Sequence, residues 1–213
     1  MSDSVPESVN LITHPVISRN LTILRDKNSN IKQFRQAMKR MAIILAYKAL
    51  EELPLRSFTV KTPVKETTGY AIDQKVTVIP ILRAGLALTD ALLQFIPDAA
   101  VGHLGMYRDE ASLQPVDYYA NIPAGIKDAL VLVVDPMLAT GGSADDAIGH
   151  LKKRGAQHIR FISVISAPEG IQRLQNNHPD VQIITSAIDE SLNDEAFIVP
   201  GLGDAGDRYF GTE

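Results

Sequence analysis

The sequence predicts an α/β protein with a parallel-sheet core and helices on both faces of the sheet. From residue 76 onward, short apolar stretches typical of strands alternate with amphipathic stretches typical of helices. The run LVLVV at 130–134 has no polar alternation and is rich in β-branched residues, as expected of a strand that is buried on both faces. A chain of 213 residues is long enough for one domain of this kind.

The elements can be assigned in chain order. Residues 1–8 are predicted to be disordered, 31–52 to form a long amphipathic helix, and the loosely alternating stretch 58–70 to form a short antiparallel arm. Strands are predicted over 76–82, 99–107, 130–134, 159–165 and 181–188, with helices over 86–96, 144–154 and 168–177. The intervening stretch 106–128 is polar and has no apolar period, so a mobile lid is predicted over 109–123.

Composition disfavours several classes of function. The chain has no cysteine, which excludes disulfides, thiol nucleophiles and cysteine-ligated metals. The formal net charge of −4, without a sustained basic run, disfavours nucleic acid as a partner, and the five histidines lack zinc-ligand spacing. No stretch has the apolar length of a membrane span and residues 1–10 are polar, so we expect a cytoplasmic protein with no membrane partner.

The loop that follows the strand at 130–134 has the features of a phosphate-binding site. Residues 140–143 are small, and they lie at the start of a helix, where unpaired backbone N–H groups meet the positive end of the helix dipole. The loop has neither the lysine of a Walker A motif nor a G-x-G-x-x-G pattern. For this loop alone, an ordinary strand–helix turn with its dipole satisfied by Asp145 and Asp146 is an equal alternative.

Charged side chains at three strand ends favour the ligand site. Asp135 ends the buried strand, where a carboxylate is costly unless it faces solvent or a ligand hydroxyl. Arg83 and Arg108 follow two other strands, and planar guanidinium groups suit a polyphosphate. Because ligands bind at the carboxyl ends of parallel strands, these residues predict a pocket for a doubly phosphorylated sugar.

The C-terminal stretch IVPGLGDAGDRYFGTE, residues 198–213, contains four glycines together with Pro200, Tyr209 and Phe210. Glycine allows a backbone to approach a ligand closely, whereas the proline and the aromatic residues argue against a floppy terminus. We therefore predict an ordered loop that contacts a ligand through its backbone.

Three segments occur in a specific order along the chain: PILRAG at 80–85, VVDPMLATGGS at 133–143 and IVPGLGDAGDR at 198–208. The second resembles the 5-phosphoribosyl-diphosphate signature of the type I phosphoribosyltransferases, and all three together resemble the uracil phosphoribosyltransferase branch. The likeness runs from His14 to Thr212. Most type I relatives have two adjacent acidic residues where this chain has Asp135 and Pro136, so one carboxylate is available there. The resemblance implies one domain over 1–213, with the type I fold, a small hood and the antiparallel arm.

The resemblance also implies an activity. Members of this branch transfer the 5-phosphoribosyl group from 5-phosphoribosyl 1-diphosphate to uracil, giving UMP and diphosphate in pyrimidine salvage, with Mg²⁺ as cofactor. Some respond to GTP or CTP, and a homodimer or larger homo-oligomer is implied. Two alternatives stay open: a phosphoribosyltransferase for another base, which would lack the G-L-G-D-A-G-D tail, and a nucleotide-sensing, RNA-binding pyrimidine regulator, which would require a basic face.

The matched motifs imply roles for individual residues. Catalytic roles fall on Asp135, Arg83 and Arg108, and a non-proline cis peptide is implied at or beside Arg83–Ala84. The tail would read uracil through the N–H groups of Gly203 and Ala205 and the C=O group of Ile198, with Asp204 turned toward the ribose diphosphate. No residue is implied as a direct metal ligand, because the diphosphate carries most of the Mg²⁺ coordination. The implied contacts with 5-phosphoribosyl diphosphate are Arg83, Arg108, Asp135, Pro136, Met137, Leu138, Ala139, Thr140, Gly141, Gly142, Ser143 and Asp204.

Overall fold

The computed structural model describes residues 8–108 and 115–212, with the backbone alone at 106–108 and 115–118. Its helices in this part of the chain are α1 (Pro15–Arg25), α2 (Ile31–Ala49), α3 (Leu86–Phe95), α4 (Gly142–Lys153), α5 (Pro168–Asn177) and α6 (Ala205–Phe210). Its strands are β1 (Val9–Leu11), β2 (Leu55–Lys61), β3 (Glu66–Ile72), β4 (Lys75–Leu82), β5 (Ala100–Val101), β6 (His103–Arg108), β7 (Pro115–Asn121), β8 (Ala129–Val134), β9 (Met137–Leu138), β10 (His158–Ile162), β11 (Ile165–Ser166), β12 (Gln182–Thr185), β13 (Ser191–Leu192) and β14 (Ile198–Val199).

The central sheet has the strand order β1-β12-β10-β8-β4-β6-β7, with β5 also paired to β4. Among the described strands of this sheet, every pairing is parallel except that of β6 with β7. Strand β8 lies near the middle, where Val131 is opposite Thr77 of β4 and Val133 is opposite Phe161 of β10. All six residues of β8 are buried, which confirms the prediction from its continuous apolar run.

Helices cover both faces of this sheet, as predicted. The even-numbered residues of β8, among them Leu132, pack in one apolar layer with α1, α2 and α3. Val131 and Val133 point the opposite way and pack in a second layer with α4 and α5. Successive side chains of a strand alternate between faces, so one uninterrupted apolar run supplies both layers of the core.

Two helices near the N-terminus begin with clear capping signals. The side chain of Asn30 accepts a hydrogen bond from the N–H group of Gln33, whose own side chain accepts from the Asn30 N–H group, so α2 starts with a capping box. It ends at Ala49, before the predicted end at residue 52. The helix α1, which was not predicted, starts with Pro15, and His14 Nδ1 accepts a hydrogen bond from the N–H group of Val16.

The antiparallel arm is confirmed: β2 and β3 pair along their whole length, from Leu55 opposite Ile72 to Lys61 opposite Glu66. The prediction that residues 106–128 are irregular is partly wrong. In this stretch β7 forms an antiparallel strand at the sheet edge, and residues 126–128 form a short 3-10 turn. An edge strand pairs on one side only and tolerates proline and polar residues, so apolar periodicity could not reveal it. Residues 109–114 of the predicted lid lie outside the described residues, so the lid stays a prediction.

Several predicted boundaries are also wrong. Residues 1–7 lie outside the described part, but the Ser8 carbonyl accepts a hydrogen bond from the N–H group of Ile183, so residue 8 is ordered. The predicted strand 159–165 divides into β10 and β11, and β11 pairs with β9 in a separate two-stranded sheet. The glycine-rich tail, predicted as a loop, continues into the short helix α6. Together with α1 and the β13–β14 pair, α6 forms the small hood.

The two-layer core predicts the effect of truncation. Replacing the fully buried Leu132 by alanine should lower the free energy of unfolding by about 2–5 kcal/mol, because it removes apolar contacts and leaves a cavity. Val64→Ala is the control, since Val64 is 91% exposed and its truncation should change stability by less than about 0.5 kcal/mol. Urea unfolding monitored by circular dichroism measures both, and equal effects would contradict this description of the core.

Candidate active site

Three predicted site residues meet at one edge of the central sheet. Strands β4 and β8 are parallel neighbours with Pro80 opposite Val134, so Arg83 and Asp135 follow adjacent strand ends. Arg108 ends β6, the other neighbour of β4, although its side chain lies outside the described part. The strand pairing therefore brings these three positions to the carboxyl edge, where ligands bind in parallel α/β sheets.

The loop between β9 and α4 leaves the helix N-terminus open. Gly141 is the N-cap residue of α4 and has no side chain to make the usual N-cap hydrogen bond, and the Thr140 hydroxyl accepts only a long one, 3.4 Å, from the Gly142 N–H group. The φ of Gly141, +76°, is in the left-handed region, and a Cβ atom there would lie 3.0 Å from the Gly170 carbonyl oxygen, so glycine is required. Thr140 and Ser143 are exposed on either side. Backbone N–H groups at such an open N-terminus bind phosphate well.

The carboxylate of Asp145, in the first turn of α4, is paired with α5. It accepts hydrogen bonds from Arg173 Nε at 2.8 Å and Asn177 Nδ2 at 2.9 Å, and it lies 3.0 Å from His178 Nε2. Burial opposes ionisation, but these hydrogen bonds and charges outweigh it, so the pKa of Asp145 lies below its usual value. Asp145 therefore links α4 to α5 and faces away from the phosphate loop, which weakens the alternative of an ordinary strand–helix turn.

The segment between Asp135 and the loop is anchored in the interior. Pro136 and Leu138 are buried, and the Pro136 carbonyl accepts hydrogen bonds from the N–H groups of Val164 and Ile165. Met137 and Ala139 are half-buried. The side chains of Pro136 and Leu138 thus pack in the interior, and Pro136, which has no N–H group and a carbonyl that is already bonded, has no backbone donor for a ligand.

Asp135 is a half-buried carboxyl group in an acidic environment. Its pKa is raised from 3.8 to about 7, mainly by burial and in part by the nearby charge of Asp204, although a hydrogen bond from the Met137 N–H group opposes the shift. The Met137 N–H group lies 3.3 Å from Oδ1 of Asp135. Because Asp204 belongs to the C-terminal tail, this interaction also places the tail beside the end of β8.

Arg83 connects the end of β4 to the same tail. The cis peptide lies between Leu82 and Arg83, directly beside the Arg83–Ala84 bond. The Arg83 side chain is 60% exposed, and its Nη2 atom donates a hydrogen bond to Asp207 Oδ1 at 3.2 Å. The guanidinium carbon lies 5.9 Å from the centre of the Phe210 ring. Sequence analysis gave no role to Asp207, although it lies in the tail motif.

The tail offers backbone groups rather than side chains. Leu192 of β13 lies opposite Ile198 of β14. The hydrogen bond beside this pair runs from the Asn193 N–H group to the Phe197 carbonyl. Because hydrogen-bonded and non-hydrogen-bonded pairs alternate between antiparallel strands, the Ile198 carbonyl points away from β13. A Cβ atom at Gly201 would lie 2.0 Å from the Ile198 carbonyl oxygen, so the side chain of any other residue at position 201 would block access to this oxygen.

Asp204 and Ala205 begin the helix α6. Asp204 Oδ1 accepts a hydrogen bond from the Asp207 N–H group at 2.9 Å, so Asp204 caps α6. The role predicted for Asp204, a contact with the ribose diphosphate, is separate from this cap. Ala205 is the first residue of α6, and its N–H group has no partner within the helix because the first four N–H groups of any helix have none.

The described residues contain no cluster of three or more histidine, aspartate or glutamate side chains that could hold a metal ion. No described helix is long and apolar enough to cross a membrane.

Comparisons with known proteins give a consistent result. A family model described as uracil phosphoribosyltransferase matches residues 11–212. A uracil phosphoribosyltransferase of Salinibacter ruber is 52% identical over 206 residues, which cover 97% of this chain and 98% of the relative. One from Clostridium perfringens strain SM101 is 52% identical over 203 residues, or 95% and 97% of the two chains.

Solved structures agree with this match. The structure of a protein from Aquifex aeolicus is 33% identical with a TM-score of 0.90, covering 96% of this chain and 99% of that chain. An adenine phosphoribosyl transferase from Trypanosoma brucei, solved with AMP, pyrophosphate and ribose-5-phosphate, has a TM-score of 0.60 at 11% identity and covers 90% and 88%. That second likeness shows the fold alone.

The raised pKa of Asp135 predicts a pH-dependent stability. Between pH 3.8 and about 7 the folded protein holds a proton that the unfolded chain has lost, so stability falls as the pH rises through this window and is level above it. Asp135→Asn should remove this decline. The free energy of unfolding of the variant, relative to that of the wild type, should therefore rise by about 1–4 kcal/mol between pH 4 and pH 8. Urea unfolding across that range measures it, and a constant difference between the two proteins would refute the shift.

Proposed function

The chain belongs to the uracil phosphoribosyltransferase family, and from this premise we propose how its residues transfer the 5-phosphoribosyl group of 5-phosphoribosyl 1-diphosphate to uracil. The products are UMP and diphosphate, and the reaction is a step of pyrimidine salvage. One observation carries the proposal: an open helix N-terminus, Asp135 and a backbone-presenting tail lie at one edge of the sheet.

The chemistry is a displacement at the anomeric carbon of ribose. The bond from this carbon to the diphosphate oxygen breaks with its electron pair leaving on the diphosphate, a bond to N1 of uracil forms, and the N1 proton is released to solvent. Positive charge grows on the ribose ring while negative charge grows on the departing diphosphate. Catalysis therefore requires positioning and electrostatic stabilisation more than a covalent nucleophile.

Separate groups would bind the two ends of 5-phosphoribosyl diphosphate. The backbone N–H groups of residues 139–143 hold the 5′-phosphate, and Asp135 accepts hydrogen bonds from the ribose hydroxyls. Arg83 and Arg108 hold the diphosphate. The present partner of Arg83 is Asp207, and because an exposed ion pair contributes little stability, the guanidinium group can exchange that carboxylate for the ligand.

The donor set suits a magnesium ion that arrives on the substrate. Mg²⁺ usually binds one or two carboxylates together with substrate phosphates, and the two carboxyl groups of Asp135 and Asp204 lie near each other at this edge. We propose that the diphosphate oxygens provide most of the ligands, and that Asp135 and Asp204 attract the ion electrostatically. The chemistry that the ion would supply when bound is positive charge to offset the negative charge of the departing diphosphate.

The tail would recognise uracil by its hydrogen-bonding pattern. The N–H groups of Gly203 and Ala205 donate to the two carbonyl oxygens of uracil, and the Ile198 carbonyl accepts from N3–H. Cytosine presents an acceptor at N3 and a donor at its amino group, so it leaves two of these groups mispaired. Such mispairing discriminates more strongly than shape.

We further propose that the protein acts in the cytoplasm as a homodimer or larger homo-oligomer, with GTP as an effector. The arm supports the assembly, because Leu55, Tyr70 and Ile72 are exposed large apolar side chains on one face of this hairpin, and Phe58 is exposed on the other face. Contiguous apolar surface of this kind marks an interaction site.

The reaction itself provides the direct test of function. Incubation with 5-phosphoribosyl diphosphate, Mg²⁺ and uracil should yield UMP and diphosphate by chromatography, whereas cytosine, adenine and hypoxanthine should yield almost none. A chelator should abolish turnover and added Mg²⁺ should restore it. Calorimetry should detect only weak Mg²⁺ binding to the free protein. Equal turnover of another base, or tight binding of Mg²⁺ without substrate, would contradict the proposal.

Base recognition by the backbone is tested by Ala205→Pro. Proline suits the first position of a helix, and the residue before it, Asp204, already has the extended φ of −76° and ψ of 114° that proline requires. The substitution therefore removes one N–H group with little strain. Uracil binding should weaken by about 1–3 kcal/mol, while binding of 5-phosphoribosyl diphosphate should change little.

Ala205→Ser is the matched control because it retains the N–H group. Binding constants for both substrates, measured by calorimetry for the three proteins, provide the comparison. Unchanged uracil affinity in Ala205→Pro would exclude the Ala205 N–H group from base recognition.

A further inference from the structure

The loop that would read uracil is held from behind by Arg208. Its Nη1 atom donates to the Leu202 carbonyl at 2.6 Å, and its Nη2 atom donates to the Asp26 carbonyl at 2.7 Å. Nη1 also donates to the Leu24 carbonyl at the end of α1. The guanidinium group stacks over the Phe34 ring with its carbon 4.5 Å from the ring centre. Arg208 thus ties the loop to the ends of two helices.

This contact determines the direction of one backbone donor. The Leu202–Gly203 peptide is trans, since the cis bonds are those before Arg83 and Pro200. In a planar trans peptide the C=O and N–H groups point in opposite directions. Because Arg208 holds the Leu202 carbonyl on the inner side, the Gly203 N–H group is directed to the other side, away from Arg208.

An ion pair between Arg25 and Asp189 holds the adjacent residue. Arg25 Nη1 donates to Asp189 Oδ2 at 2.8 Å and to the Gly201 carbonyl at 2.8 Å. The Gly201 N–H group donates to the same Oδ2 atom at 3.0 Å. Both polar backbone groups of Gly201 are therefore bound by one ion pair.

The ion pair is in turn attached to the body of the protein. Asp189 is 7% exposed, and its own N–H group donates to the carbonyl of Ser166, the last residue of β11. Removing either partner would leave a buried charge without compensation, which is costly. The ion pair consequently fixes Gly201 relative to the sheet.

We propose that Arg208 and the Arg25–Asp189 ion pair are positioning residues for the base: they hold Leu202 and Gly201 so that the Gly203 N–H group is presented to uracil. This inference rests on the proposed role of the tail in base recognition. None of the three side chains need touch the base. Their contribution is to pre-organise a glycine-containing loop that would otherwise lose conformational entropy on binding.

The test uses Arg208→Lys, Arg25→Lys and Asp189→Asn in the full chain. Lysine keeps the charge but lacks the fork that reaches several acceptors at once, and asparagine keeps the shape of aspartate. In each variant KM for uracil should rise by about 5- to 100-fold, the range expected when one hydrogen bond to a buried group is lost. The preference for uracil over cytosine should fall, whereas KM for 5-phosphoribosyl diphosphate should change by less than about threefold.

Arg160→Lys is the matched control. Arg160 also donates to a helix-end carbonyl, that of Ala49, and to a carboxylate, that of Glu52 at 2.9 Å, but these contacts do not involve the tail. It should leave both KM values and the base preference within about twofold of the wild type. Thermal unfolding of every protein separates loss of folding from loss of positioning.

The outcomes are distinguishable. A wild-type protein that makes no UMP overturns the proposed function. A wild-type protein that does so, with folded variants of unchanged uracil KM and base preference, overturns the positioning role. A parallel rise in both KM values would show a general structural role and would also overturn it. Should Asp189→Asn not fold, the two lysine variants decide the question, because they retain the charge at both arginine positions.

Discussion

The unsatisfied N-terminus of α4 is the feature on which the rest of the site depends. A serine, threonine or aspartate at an N-cap satisfies this end with its side chain, but the cap here is Gly141, in a left-handed conformation. The nearest carboxylate in the first turn, that of Asp145, is paired with Arg173 and His178 of the α5 region. The helix dipole and its free N–H groups are therefore left for a phosphate, and local stability is lower without the ligand.

The tail, which is the proposed uracil-binding end of the site, also relies on backbone groups. The tail presents backbone N–H and C=O groups, and side chains act mainly behind it. Asp204 caps α6, Arg208 holds Leu202, and the Arg25–Asp189 ion pair holds Gly201. Backbone recognition requires a rigid backbone, so buried charged groups are used where an enzyme with side-chain recognition would use apolar packing.

Electrostatics connects the two ends. Burial, together with the nearby charge of Asp204, raises the pKa of Asp135 and makes this edge of the sheet unfavourable for negative charge. Arg83, which is paired with the half-buried Asp207, offsets part of that charge. Under the proposed function, a diphosphate that carries a divalent cation would change this balance by bringing positive charge to the two carboxyl groups.

Much of this arrangement could be predicted from the sequence. The apolar run of β8 indicated a central buried strand, and the small residues after it indicated an open helix start. The order of the strands indicated that Arg83 and Asp135 meet. These features are local, or they follow from general rules for parallel sheets.

What could not be predicted involves distant pairs and weak local signals. Arg25 and Asp189 are 164 residues apart in sequence, so no spacing reveals their contact. The helix α6 escaped prediction because its glycine at position 206 disfavours helix, whereas the Asp204 cap and the packing of the hood favour it. The edge strand β7 lacks the alternation that a half-buried strand would show.

A crystal structure of the protein with UMP bound is the most direct test of recognition by the backbone at both ends. The account predicts phosphate oxygens within about 2.7–3.2 Å of the N–H groups of residues 140–143. It also predicts the uracil ring on the Gly203 and Ala205 N–H groups and the Ile198 carbonyl. A phosphate bound away from the N-terminus of α4, or a base held by side chains instead of these three backbone groups, would contradict it.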